Sequence, residues 1–239
     1  MDLSWLDTIG NDSPGDESIE VFANVENEES IWRKERLGKV TGSQLGKLVV
    51  KDKSKGYKLS TGKVASDLLY KIAWERFLIT ESEGMNRLNV SSQSMSHGND
   101  YELSGIEKFT EVTGISVEPS GQKFKTKGEF FGGTPDGFTE DGGIIEVKAP
   151  WNGGNHLKTL LTGEIYNDDH FYQIQGYLYL TDLEFCWYVT FDPDLPEGLN
   201  ISINKIERDE EVISAIESIV EECRKIVEEL INKANLKLK

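Results

Sequence analysis

Cysteine and histidine are scarce in this chain, and each scarcity removes a class of explanation. Only Cys186 and Cys223 occur among 239 residues. Neither belongs to a CxxC or CxxH unit, so a disulfide framework and a structural zinc site are excluded. An iron–sulfur cluster held by four thiolates is excluded with them. His97, His156 and His170 are too few and too scattered to propose as metal ligands; they are expected in loops or near helix starts. No basic stretch leads into an apolar core at the N-terminus, and no apolar run reaches the length of a membrane span. A soluble protein of a reducing, cytoplasmic compartment is the expectation, with no membrane partner.

Basic residues are missing altogether from positions 1–30, which hold nine acids and carry −9 of the net −16. Residues 1–29 therefore read as an acidic, disordered arm. Residues 30–239 read as one domain, long enough to bury a core without staples. A net charge of −16 argues against a passive coat for nucleic acid. Lys47, Lys51, Lys53, Lys55 and Lys58 nevertheless crowd into twelve residues, so DNA remains open as a partner.

Helical patterns run from Ser30 to Leu37, from a Thr41-Gly42-Ser43 cap to Val50, and from a cap at Ser60 or Thr61 to Leu78. The lysine-rich stretch 51–58 reads as a loop. Further helices are expected at 99–113, 168–180 and 209–232, with hairpins across 128–150 and across strands 184–191 and 200–207. The mixture, without internal repeat or Gly/Ser linker, gives an α/β fold with a central mixed sheet flanked by helices.

The residues "IIEVKAP" at 144–150 carry the chemistry. Ile144, Ile145, Val147 and Ala149 suit a core strand, yet Glu146 and Lys148 share one of its faces. A buried charge costs several kcal/mol unless it is paired or bound to a metal. Upstream, "GGTPDGF" at 132–138 supplies Asp136. A two-residue Asp-Gly turn would point Asp136 away from Glu146. A three-residue Asp-Gly-Gly loop, with a positive φ at the second glycine, would return Asp136 to the Glu146/Lys148 face. Two hard carboxylates there suit Mg²⁺, with Mn²⁺ possible. Lys148 is suited to orienting a water and to offsetting transition-state charge. Glu102, four residues before Ile106 on an inward helix face, offers a third carboxylate. A bare ExK pair is more often a solvated surface ion pair; the PDG turn ten residues upstream favours a nuclease.

These segments together resemble the PD-(D/E)xK nuclease superfamily, and within it the phage lambda exonuclease or YqaJ-type viral recombinase family. Five motifs occur in order: "WRKERLGKVTGSQLGKL" (32–48), "HGNDYE" (97–102), "GGTPDG" (132–137), "IIEVKAP" (144–150) and "YQIQGYLYLT" (172–181). The resemblance implies a catalytic group of Asp136, Glu146, Lys148, Glu102 and Gln173. Its metal would be held by Asp136, Glu146 and the Val147 backbone carbonyl, with Glu102 nearby. A 5′-phosphate pocket would comprise Arg36, Ser43 and Thr134, the last standing where serine is more familiar. Lys51, Lys53 and Lys55 would reach DNA, and Met95 would be an apolar wedge at the fork. Gln175 is expected to be a helix-surface amide.

The implied activity is metal-dependent 5′-to-3′ digestion of one strand of duplex DNA, leaving 3′ overhangs for recombination by single-strand annealing. A ring-shaped homotrimer and a single-strand annealing protein are the implied partners, beside double-stranded DNA ends. Two alternatives stand against it. A different PD-(D/E)xK endonuclease would cut closed circles, for which a 5′-phosphate pocket is useless. A non-catalytic DNA-end-binding protein would have no need of Asp136, Glu146 and Lys148 together.

Overall fold

The computed structural model describes residues 31–53, 56–79, 93–121 and 123–238, with backbone alone at 93–100 and 238. Seven α-helices and ten strands build the described part. The helices are α1 (31–36), α2 (Leu45–Leu48), α3 (Lys63–Leu78), α4 (Gln93–Thr113), α5 (Gly153–Thr162), α6 (Asp168–Thr181) and α7 (Glu210–Asn235). The strands are β1 (Val40–Thr41), β2 (Val49–Asp52), β3 (Gly56–Leu59), β4 (Val117–Pro119), β5 (Lys125–Lys127), β6 (Phe131–Gly133), β7 (Gly137–Thr139), β8 (Ile144–Lys148), β9 (Phe185–Phe191) and β10 (Ile201–Glu207).

The central sheet has the order β10-β9-β8-β7-β4. Its β8–β9 pair is parallel and the others antiparallel, so the sheet is mixed. A three-stranded sheet, β1-β6-β5, and the β2–β3 hairpin stand beside it. Alternation along β8 and β9 divides the core between the two faces. Ile144, Cys186 and Tyr188 join Ile174, Leu178, Ile216 and Cys223 beneath α6 and α7. Ile145, Val147, Val189 and Phe191 meet Ile106 and Phe109 of α4 on the other face.

Local sequence explains where the helices begin and end. Asp209 caps α7 by accepting from the Glu211 and Val212 amides, and acidic Glu210 and Glu211 in the first turn suit the positive end of the helix dipole. The stripe Val212, Ile213, Ile216, Ile219, Val220, Cys223 and Val227 is buried. Asn167 caps α6, which ends where Asp182 takes a left-handed φ of 57°.

Several sequence expectations require correction. The short helix expected to run to Val50 ends at Leu48; after a 3-10 turn at Gly42–Gln44 and α2, the chain becomes strand β2. The lysine-rich 51–58 stretch is largely a β-hairpin, because buried Val49 and Leu59 pair at its base and anchor otherwise polar strands. Helix α5 was not expected. It begins on two glycines, which disguise the pattern, and is started by the Asn152 side chain accepting from the Gly154 amide. No helix among the described residues is long and apolar enough to cross a membrane.

Candidate active site

The hairpin that carries the acidic residues turns one position earlier than expected. Gly137 faces Ile145 and Phe138 faces Ile144, while the Gly142 amide bonds the Thr139 carbonyl at 3.0 Å. The loop is therefore Glu140-Asp141-Gly142, not Asp-Gly-Gly. The first glycine, Gly142, takes the positive φ of 89°, and Gly143 is instead packed against the Phe185 ring, with no room for a Cβ. The loop still has three residues, so the face is preserved. One register step beyond the ladder, Asp136 stands opposite Glu146.

That step is also where the sheet opens. At Asp136 the chain has left the β7 ladder, and its Oδ2 accepts from the Val147 amide at 2.7 Å in place of a backbone carbonyl. A residue's N–H and C=O leave a strand on the same side, so the Val147 carbonyl faces the same gap. Glu146 is fully buried. Its Oε1 accepts from Gln173 Nε2 at 2.6 Å and from Lys148 Nζ, while its Oε2 has no partner. Gln173 lies on α6, one turn before Tyr177, whose hydroxyl it also contacts at 3.2 Å. Glu102 arrives from α4, which lies close on β8 because Gly105 has no Cβ to meet Val147.

Burial dominates the electrostatics. Glu146 stands at about 8 and Glu102 at about 7, raised chiefly by burial and also by Asp136, against the pull of Lys148. Asp136 is raised by its own burial, against the pull of Lys148 and the Val147 amide. Burial alone would lower Lys148, but Glu146 and Asp136 together outweigh it and keep the ammonium charged. Near neutral pH the three acids share fewer than three charges and titrate as a group.

This is an incomplete site, and its incompleteness has a chemical direction. A buried carboxylate oxygen without a partner is rare and costly. Among the described residues no three His, Cys, Asp or Glu side chains converge as a ready metal cage. Two carboxylates and one carbonyl are too few to fill a coordination shell, which suits an ion that keeps much of its hydration, as Mg²⁺ does. The donor set thus fits a hard divalent cation at Asp136, Glu146 and the Val147 carbonyl, with Glu102 at the margin.

A second group of residues assembles around the Tyr177 ring. Gly42 and Gly133 both lie flat against that ring, where a Cβ on either would clash. The parallel β1–β6 pairing, Thr41 with Gly132, carries Ser43 and Thr134 out at the same end. The Arg36 guanidinium lies over the Trp32 ring, 4.2 Å from its centroid, and Trp32 Nε1 donates to Thr134 Oγ1 at 3.1 Å. Burial lowers Arg36, countered by Tyr177 and Glu75. Among the described residues Arg36 has no carboxylate in salt-bridge contact. The Ser43 hydroxyl is exposed to solvent on one side and 3.2 Å from Thr41 Oγ1 on the other.

Other expected residues are placed less tightly. Lys51 and Lys53 are exposed on the β2–β3 hairpin, with Lys51 over the Tyr57 ring at 5.3 Å. Lys55 and the Met95 side chain lie outside the described residues. Gln175 is no surface amide: it is fully buried, donating to the Glu207 carbonyl and accepting from the Asp209 amide at 2.9 Å each. It ties the end of β10 to the cap of α7. Trp32 and Tyr177 escaped sequence reasoning, since an aromatic residue in a helix reads as core, and His170 was weighed only as a metal ligand. The one available signal was their spacing of three or four from Arg36 and Gln173.

A mixed sheet with helices on both faces, bearing Asp136, Glu146 and Lys148 at an opened edge, is the PD-(D/E)xK nuclease fold. The model of the YqaJ-like viral recombinase domain matches residues 31–184, and the chain belongs to that family. Among solved structures it is similar to an alkaline exonuclease, LHK-Exo, from Laribacter hongkongensis. Identity is 25%, with a TM-score of 0.72, covering 87% of this chain and 96% of that one. The same enzyme in complex with dAMP matches equally well. A phage-related exonuclease from Haemophilus somnus 129PT shares the fold, at 19% identity and a TM-score of 0.66 over 82% of this chain and 96% of that one. Curated protein sequences gave no match.

Proposed function

We propose that this protein is a divalent-metal-dependent 5′-to-3′ exonuclease that digests one strand of duplex DNA from a 5′-phosphorylated end. The coarser statement, a DNA exonuclease of the phage recombination type, rests on its family and on its likeness to LHK-Exo. The observation that carries the finer reading is the buried, half-satisfied Glu146 beside an Arg36–Trp32–Thr134 group, with Tyr177 between them, its hydroxyl on Gln173 and its ring against Gly42 and Gly133.

In this reading Asp136, Glu146 and the Val147 carbonyl hold the cation. When bound, such an ion neutralises phosphodiester charge and lowers the pKa of a bound water. Gln173 fixes Glu146 so that Oε2 stays turned into the site. Lys148, held charged by the acids around it, orients the attacking water and offsets charge on the phosphate. Glu102, raised to about 7, holds or releases a proton near working pH. Arg36 forks onto the terminal phosphate, with Ser43 and Thr134 hydroxyls beside it. Complexation of LHK-Exo with dAMP, a nucleoside monophosphate, agrees with a site that accepts a nucleotide phosphate.

Residues 30–239 form the nuclease domain, with 1–29 an acidic arm. A ring-shaped trimer and a single-strand annealing partner complete the proposal, both supported by the family alone. The test is linear duplex labelled separately at each end, with and without 5′-phosphate, beside a closed circle, in the presence of Mg²⁺. Expected are loss of the 5′ label first, preference for the phosphorylated end and an intact circle. Cleavage of the circle sinks the reading.

A further inference from the structure

Helix α6 presents a polar row to the acidic edge, and sequence and mechanism account for only part of it. Gln173 reaches Glu146 and Tyr177. His170, one turn earlier, lies on the same side of the helix. On β8 the next residue of the same face is Lys148, so helix and strand rows step together. Lys148 is among the charges felt by His170, Tyr166 and Tyr188 alike. Tyr188 is the direct partner of Glu146 on the neighbouring strand.

The ring of His170 is held on two sides. Its Nδ1 is 2.9 Å from the Tyr188 hydroxyl, and the Tyr166 ring meets it edge-on with centroids 4.9 Å apart. Tyr188 is fully buried, and His170 is its only polar partner among the described residues. A buried phenol that did not donate would leave its proton unpaired. Tyr188 therefore donates to Nδ1, and the ring carries its own proton on Nε2. Among the described residues no group accepts that Nε2 proton, and the atom is not buried. His156 is the contrast: its Nδ1 meets Thr190 and its Nε2 meets the Leu199 carbonyl, so both nitrogens are used. Burial, with help from Lys148, lowers His170 to about 3 and leaves it neutral.

We propose that His170 binds substrate in the same active site, its Nε2–H donating to a non-bridging oxygen of a DNA phosphate. The inference rests on the exonuclease reading. A neutral donor with a fixed tautomer adds a contact to the anionic backbone without a second cation beside Lys148. Tyr188 is its positioning residue.

The test combines kinetics on 5′-phosphorylated linear duplex with NMR of ¹⁵N-histidine protein. His170→Phe, which keeps a ring against Tyr166, should lower kcat/KM by about 10- to 100-fold, the worth of one hydrogen bond to a charged group. His170→Gln, with an amide near the Nε2 position, should recover most of the loss. Tyr188→Phe should fall between them and should release the tautomer. In the wild type the His170 resonances, identified by their loss in His170→Gln, should report a proton on Nε2. That signal should move when DNA ends are added to catalytically silenced Lys148→Ala protein. A proton on Nδ1, or Gln as poor as Phe, overturns this inference and leaves the exonuclease reading intact. A wild type that releases no nucleotide overturns both.

Discussion

Glu146 and His156 make an instructive pair. Both are fully buried polar side chains on one face of one sheet, since Thr190, which His156 contacts, is the strand partner of Lys148. Every polar atom of the His156 ring has a partner, on β9 and on the loop before β10. Glu146 has two donors on one oxygen and none on the other. A satisfied buried group joins elements and stabilises the fold. An unsatisfied one is tolerated where something outside the chain completes it; in the proposed function that is a metal with its water and a phosphate.

The largest effect that would break this comparison is on activity. Glu146→Gln should reduce exonuclease turnover about 10³-fold while raising metal-free stability near neutral pH by about 1–2 kcal/mol, because a neutral amide replaces an acid whose ionisation the fold opposes. Loss of stability instead would place Glu146 with the structural groups. His156→Ala should do the reverse. It removes two hydrogen bonds and leaves a cavity, costing about 3 kcal/mol in urea unfolding, with kcat per folded molecule unchanged.

Linkage sharpens the contrast. Glu146 and Glu102 have folded pKa values of about 8 and 7, above the ordinary 4.5. Groups raised on folding favour the native state most below their unfolded pKa, and that contribution is lost as pH rises through the folded values. Metal-free protein should therefore lose stability between about pH 4.5 and 8. Mg²⁺ should restore it increasingly over the same window, by about 2.7 kcal/mol at a hundredfold excess over Kd. A melting-temperature gain independent of pH, or one that persists in Glu146→Gln, would contradict the assignment.

Two amides two residues apart repeat the lesson on a smaller scale. Gln175→Ala should cost about 1–2 kcal/mol of stability and nothing in kcat, for it ties β10 to α7. Gln173→Ala should lower kcat about tenfold with little change in stability. The smallest effect lies on the exposed hairpin. Replacing Lys51 and Lys53 by Ala should reduce the salt slope of DNA binding by about one per lysine, leaving turnover at saturating DNA unchanged.

Much of this architecture was legible before any coordinates. The alternation in β8, β9 and β10 and the apolar stripe of α7 placed those elements within a few residues, because each buries a whole face and periodicity records that burial. Asp136, Glu146, Lys148 and Gln173 were named as a group, and the structure does bring them together. Reading failed where tertiary packing overrode local pattern. The Lys51–Lys58 stretch is mostly polar and becomes a hairpin because Val49 and Leu59 are drawn into the core and Tyr57 packs against it. Gln175 looks like a surface residue until the cap of α7 is laid against it. The hairpin loop slipped by one residue because Phe185, distant in sequence, claims the space over Gly143.

The sequence by itself determined that Glu146 and Lys148 share a face, since the two-residue period of a strand allows nothing else. It also determined which residue types were at hand for a hard cation and a phosphate. Only the tertiary structure decided that one oxygen of Glu146 is left without a partner, that Trp32 joins Arg36 to Thr134, and that the Tyr188 hydroxyl meets Nδ1 of His170. Those facts depend on side chains from separate elements meeting within hydrogen-bond distance, and chain spacing carries no record of such meetings.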